Sequence, residues 1–196
     1  MGYDTLVLII DNYDSFVYNI VHTLAELGAR SIVVRNDEIS VSGVERIGPD
    51  RIIISPGPGS PLNPRDVGVS PKVVERLGKR IPVLGVCLGH QVIGAVYGAR
   101  IRRARRIMHG KLDTIAHTGD KLYRGVPGEF EAIRYHSLVV DRVKPPLIVT
   151  SRSLGDGEVM GVRHEEYPVH GVQFHPESVA TPIGPRILRN FLDDPW

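Results

Sequence analysis

A chain of 196 residues, 42% hydrophobic and 23% charged, can bury one good core, and it suits one domain over residues 1–196 better than two. A net charge of +2 is too small to argue for nucleic acid or a membrane surface. No stretch approaches about 18 apolar residues, the opening lacks a basic leader or small-residue cleavage site, and a single cysteine forms no internal disulfide, so a cytoplasmic location is expected.

In chain order, residues 5–11 are apolar on both faces, as a buried parallel strand should be. Residues 15–27 predict a helix with Phe16, Ile20, Leu24 and Leu27 on one stripe, Ser15 as N-cap and Gly28 as terminator. Strands follow over 31–35 and 51–55, then a helix around 69–79 and a strand over 82–86. This alternation predicts an α/β fold with a doubly wound, mostly parallel sheet flanked by helices, which binds ligands beyond the carboxyl ends of its strands. The second half is less regular. Strand-like pieces near 112–117, 130–134, 138–140, 147–151, 158–162 and 169–174 read as antiparallel additions and the last sheet strands, and a helix near 184–192 closes the pattern.

The lone cysteine sits in GVCLG at 85–89, where a strand stops and a helix starts. This has the form of a nucleophile elbow with Cys87 in place of serine. The glycines allow a tight turn, the helix N-terminus favours the thiolate, and the Leu88 N–H points where an oxyanion could form. The alternative is a buried structural cysteine. A cysteine nucleophile needs a base, and of eight histidines only His175, in GVQFHPES at 171–178, ends a comparable strand. Glu177 lies two residues on, across a proline, where a carboxylate could fix the imidazole tautomer; taken alone, such a residue is more often an ordinary strand-end histidine, and the elbow reverses that balance. The SPGPGSP loop at 55–61 is a rigid turn or a second source of oxyanion donors.

These three pieces, in this order, resemble the class I (triad) glutamine amidotransferases, and the resemblance covers essentially the whole chain. DNYDSF at 11–16 with Asn19, HGK at 109–111 and RYHSL at 134–138 are similar to the chorismate-using branch, which serves anthranilate synthase and aminodeoxychorismate synthase. The resemblance implies a flavodoxin-like fold, Cys87 as nucleophile toward the glutamine amide, His175 as base and Glu177 as its orienting partner. It implies oxyanion donors at Gly59 and Leu88, with Gln91, Ser137, Leu138 and the Gly57–Pro58–Gly59 loop gripping L-glutamine. No metal or organic cofactor is implied for this half-reaction; magnesium is expected only in the synthase partner. That partner would be a separate chorismate-binding subunit, component I of anthranilate synthase, or its counterpart on the folate route. A stand-alone cysteine hydrolase is the rival from another class, disfavoured by the PGPG and YHSL motifs; a non-catalytic binding module would be expected to lack Cys87 or His175.

The family usually follows HGK with a small or hydroxyl residue and a serine, whereas here Leu112 and Asp113 follow, in a region resembling the surface that meets the synthase. Five arginines among residues 100–106 read either as a solvated edge or as a partner-facing patch. On the second reading Arg105, Arg106, His109, Gly110 and Lys111 form the interface, and the PGPG glycines supply a loop mobile enough for the partner to gate.

Overall fold

The structure, a computed structural model, describes residues 5–193; the ends of the expected domain, 1–4 and 194–196, lie outside the described residues. One nine-stranded sheet organises the chain, in the order β2-β1-β3-β4-β9-β8-β7-β5-β6. Its parallel part comprises β1 (Leu6–Asp11), β2 (Arg30–Arg35), β3 (Arg51–Ile54), β4 (Val83–Val86) and β9 (Val169–Val172). The antiparallel part comprises β5 (Arg100–His117), β6 (Glu129–Asp141), β7 (Leu147–Ser153) and β8 (Val159–His164). The predicted α/β fold with flanking helices and antiparallel additions is present, in a mixed sheet whose four parallel pairings are matched by four antiparallel ones.

The helices are α1 (Val17–Glu26), α2 (Val41–Ile47), α3 (Pro64–Val67), α4 (Ser70–Leu77), α5 (Leu88–Val96) and α6 (Gly184–Asp193). Burial on both faces explains the continuous apolar runs of β1, β3 and β4; β2, at the sheet edge, is only partly covered. Val7 and Ile9 of β1 enter the core layer that holds Ile20 and Leu24 of α1 and Ile187 and Phe191 of α6. Leu8 and Ile10 enter the opposite layer, with Val73 and Leu77 of α4 and Val92 and Ile93 of α5. Each such side chain contributes roughly 1.5–3 kcal/mol on burial, so a one-residue slip of β1 would sacrifice both layers at once.

Several expected boundaries move for local reasons. Ser15 is not the N-cap of α1: Phe16 holds that position without a side-chain cap bond. Asp14 folds the preceding turn instead, accepting the Phe16 N–H at 3.2 Å, in the Asx manner that competes with helix initiation. The buried stripe is consequently Val17, Ile20 and Leu24, and Phe16 is 60% exposed. Gly28 does terminate the helix, at φ +85°. No helix is expected between 35 and 51, yet α2 forms there, with Ser40 accepting the Gly43 N–H at its start and Gly48 left-handed at its end. The pieces at 130–134 and 138–140 are one strand, and β5 begins at Arg100 rather than near 112 because β6 pairs along most of its length.

Where β3, β4 and α5 meet, two glycines are required by proximity. A Cβ on Gly85 would lie 2.4 Å from the Gly89 carbonyl, and one on Gly89 would lie 2.2 Å from the carbonyl oxygen of Ile54. Replacing Gly89 by alanine should therefore cost about 3 kcal/mol of stability, the upper end of ordinary overpacking. Gly128→Ala, with open space around its added methyl, should stay within about 0.5 kcal/mol. Urea unfolding of the two variants checks the contrast, and equal losses would remove close approach as the reason for Gly89.

Candidate active site

Cys87 stands between β4 and α5 with φ +51° and ψ −100°. The left-handed φ falls on the cysteine itself and not on the neighbouring glycines, which serve close packing. Such a backbone costs of order 1–3 kcal/mol and persists only where its surroundings determine it. Here the Cys87 N–H donates to the Val172 carbonyl at 2.8 Å, and the Gln91 N–H closes the first turn of α5 on the Cys87 carbonyl at 3.1 Å. The Leu88 amide belongs to the first turn, where helix N–H groups have no intrahelical acceptor.

His175 follows β9. Its N–H donates to the Ile133 carbonyl of β6 at 3.2 Å, and its ring meets Tyr135 edge-on at 5.2 Å. The next residue is braced as well, because the Pro176 carbonyl presses on Gly184 at the start of α6, where a Cβ would lie 1.8 Å away. His175 Nδ1 pairs with Glu177 Oε1 at 2.6 Å. A carboxylate accepts, so Nδ1 carries the hydrogen and Nε2 is the basic atom of the neutral ring. Nε2 is buried without a hydrogen-bond partner among the described residues. Burial opposes charge on His175, but the charge and hydrogen-bonding capacity of Cys87, together with Glu177, outweigh it and hold the imidazolium well above the ordinary histidine range.

A pocket of about 150 Å³ opens over the sulfur, lined by Gly57, Pro58, Gly59, Cys87, Leu88, Gln91, Tyr135, His136, Ser137 and Leu138. Every residue assigned to glutamine or oxyanion binding from the sequence lines it; Tyr135 and His136, not assigned then, line it too. The PGPG loop is held tightly. Asn12 donates to the Ser55 carbonyl at 2.9 Å and accepts from Asn36 at 2.9 Å and Ser70 at 3.2 Å. A Cβ on Gly57 would lie 2.2 Å from the Asn12 carbonyl, and one on Gly59, at φ +94°, would lie 2.2 Å from the Asp66 carboxylate. These glycines mark close approaches, which explains their presence without the mobility expected of them.

The basic run divides. Arg102 pairs with Glu158 at 2.6 Å and Asp141 at 3.1 Å, so it is neither solvated edge nor free patch. The Arg105 N–H donates to Glu158 and its guanidinium to the Asp156 carbonyl, while Arg106 is exposed. His109, Gly110 and Lys111 form an exposed bulge, where the β5–β6 register breaks and Gly110 takes φ +68°. His109 reaches the Tyr135 ring at 6.1 Å, one side chain away from His175. Leu112 points outward, 55% exposed, but Asp113 turns inward to the buried Arg134. It is an internal ion pair and not part of the expected contact surface.

Since Cys87 is the foremost influence raising His175 above its ordinary value, the imidazolium persists through neutral pH and deprotonates only as pH climbs through the raised value. Cys87→Ala should bring the His175 titration midpoint down, because burial, which favours the neutral ring, then meets less opposition. Histidine ring NMR across pH reads this directly; an unmoved midpoint would mean that Cys87 is not the cause.

The chain matches the family described as glutamine amidotransferase class-I over residues 8–194. It is 61% identical over 191 residues to anthranilate synthase component 2 of Saccharolobus solfataricus, covering 96% of this chain and 98% of that protein. It is 44% identical over 189 residues to aminodeoxychorismate/anthranilate synthase component 2 of Bacillus subtilis, covering 96% of each. Its fold is that of a glutamine amidotransferase from Thermotoga maritima, with a TM-score of 0.78 at 17% identity over 97% of both chains. With an elbow cysteine, a carboxylate-held histidine and a shared pocket already in place, the chain belongs to the class I glutamine amidotransferases.

Proposed function

We propose that this chain is the glutaminase component of anthranilate synthase, supplying ammonia to a chorismate-binding component I in tryptophan biosynthesis. The observation that carries the chemistry is the 2.6 Å contact between His175 Nδ1 and Glu177, which leaves Nε2 as the base beside the elbow cysteine. Cys87 Sγ, its proton already held by His175, attacks the side-chain amide carbon of L-glutamine as the thiolate. The N–H groups of Leu88 and Gly59 receive the oxyanion. His175 returns the proton to the departing nitrogen, ammonia leaves, and a glutamyl thioester remains. Water, deprotonated by the same histidine, then releases glutamate.

Gln91, Ser137, Leu138 and the Gly57–Pro58–Gly59 loop hold the α-amino and α-carboxyl ends of the substrate. No cofactor takes part in this half-reaction, and magnesium belongs to the synthase subunit. Because ammonia protonates in neutral water, its release is useful only through a protected passage into that partner, in a hetero-oligomeric complex working in the cytoplasm as a single-domain subunit. The exposed bulge at His109–Gly110–Lys111, with Arg106 beside it on β5, is the docking edge; Arg105 contributes through its ties to the turn at Asp156 and Glu158. The name of the Bacillus subtilis relative supports a second reading, in which the same chain also serves aminodeoxychorismate synthase.

Cys87→Ala should abolish glutamine-dependent synthesis while the assembled complex still uses free ammonium salts. Retained glutaminase activity, or loss of the ammonia-dependent reaction in an intact complex, would sink the assignment. His175→Ala should lower kcat/KM for glutamine about a thousandfold or more, and Glu177→Ala about a hundredfold, since the histidine moves the proton and the carboxylate only orients it. Steady-state kinetics of folded variants orders the two. Arg106→Glu and Lys111→Glu should weaken partner affinity and increase its dependence on salt; titration with component I across a salt series tests this, and unchanged affinity in both would move the docking edge elsewhere.

A further inference from the structure

Gln173 lies between β9 and His175 and is fully buried, with a polar end directed at the nucleophile. Its Nε2 stands 3.5 Å from Cys87 Sγ. The orientation of that amide follows from the Leu138 carbonyl through Gln91, and the same carbonyl is held in place by Arg134 and His136. Arg134, 1% exposed, is held by Asp113 and by Asp156 at 2.9 Å. A guanidinium only donates, so its Nε–H, 3.0 Å from His136 Nε2, makes that ring nitrogen the acceptor. The ring hydrogen of His136 is then on Nδ1, which donates to the Leu138 carbonyl at 3.1 Å. Burial and the Arg134 charge push His136 down to about 4, in keeping with a neutral ring.

The Leu138 carbonyl only accepts, so Gln91 presents Nε2 to it, at 2.9 Å. The second hydrogen of that group goes to Gln173 Oε1 at 3.0 Å. With its oxygen committed, Gln173 has only its NH2 to offer the sulfur. The same logic leaves Gln91 Oε1 as the group free to accept from a ligand in the pocket.

We propose that Gln173 is a further catalytic residue, donating a hydrogen bond to Cys87 Sγ that holds the sulfur as thiolate, with Arg134 and His136 as positioning residues that fix the Leu138 carbonyl on which Gln91 is oriented. The role rests on the glutaminase reading for its purpose, though not for its geometry. As a thiol, Sγ donates to the Tyr135 carbonyl, 3.8 Å away. When the proton passes to His175 that bond is lost, whereas the bond from Gln173 becomes charge-assisted and stronger. The sulfur then faces Gln173 and His175 from the segment after β9, with Glu177 behind the histidine, and the N-terminal amides of α5.

A single cysteine makes the test direct, because iodoacetamide reports Cys87 alone. In the complete chain at neutral pH, Gln173→Met should slow alkylation about tenfold, the effect of losing a hydrogen bond to a charged group. Glutamine kcat should fall by a similar factor with KM within about twofold. A merely structural loosening would expose the buried sulfur and speed alkylation, so the sign separates the two roles; a rate equal to or above that of the parent overturns the proposal. His136→Leu reads the same chain if the methionine variant fails to fold. It should also slow alkylation, with His136→Asn, whose amide N–H can stand in for Nδ1–H, recovering most of the loss. A parent-like rate in His136→Leu overturns the positioning role. Alkylation uses no glutamine, so failure of the glutaminase reading leaves its outcome untouched, and an unchanged rate beside normal glutamine hydrolysis sinks the role of Gln173 alone.

Discussion

The site depends on how closely β3, β4 and α5 approach one another. Gly89 lies against the Ile54 carbonyl and Gly85 against the Gly89 carbonyl, which brings the N-terminus of α5 almost directly over the end of β4. The chain can make that junction only by placing its middle residue at a left-handed φ, and this residue is Cys87. Strain of order 1–3 kcal/mol is offset by the apolar packing of the same elements, with Ile54, Val83, Leu88 and Val92 all in one buried layer. The exposure of the sulfur to the pocket, the free amides beneath it and the direction of the pocket all follow from the junction.

Two histidines serve the pocket in opposite electrostatic settings. His175 has a carboxylate at one nitrogen and the cysteine near the other, which favours its charged form. His136 has a guanidinium at one nitrogen and a carbonyl at the other, which favours its neutral form. Environments that push two titratable groups apart in this way separate a proton-transferring role from a scaffolding one. Both histidines are fixed from β6: the His175 backbone by the Ile133 carbonyl and its ring by the edge of Tyr135, the His136 ring by Arg134.

The long β5–β6 pair links this interior to the surface. Asp113 and Asp156 reach the buried Arg134 from β5 and from the turn between β7 and β8, and the carboxylate of Glu158 gathers Arg102 and the Arg105 backbone from the same turn. Removing one member of such a buried pair costs several kcal/mol, because the other charge is left uncompensated. The arginine run therefore has a structural half, at Arg102 and Arg105, and an outward half, at Arg106 and the bulge that follows.

Patterns carried by neighbouring residues were legible in the sequence. Apolar runs marked the central parallel strands because both their faces are buried, and GVCLG marked the elbow because its glycines lie within two residues of the cysteine. His175 and Glu177 could be paired because one proline separates them. Gly57 through Gly59, Leu88, Gln91, Ser137 and Leu138 were likewise found through short motifs, and they line one pocket. Ser40 and Gly48 were also local signals, and they could have revealed α2. The sequence by itself determined the sheet, the elbow and the histidine with its carboxylate, since each is written in residues a few positions apart. Only the tertiary structure decided that Asp113 faces inward, that Asp156 joins it on Arg134, and that Gln173 turns its amide to the sulfur. Those roles depend on hydrogen bonds between residues 21 to 86 positions apart, whose donors and acceptors acquire a direction only when the sheet brings them together.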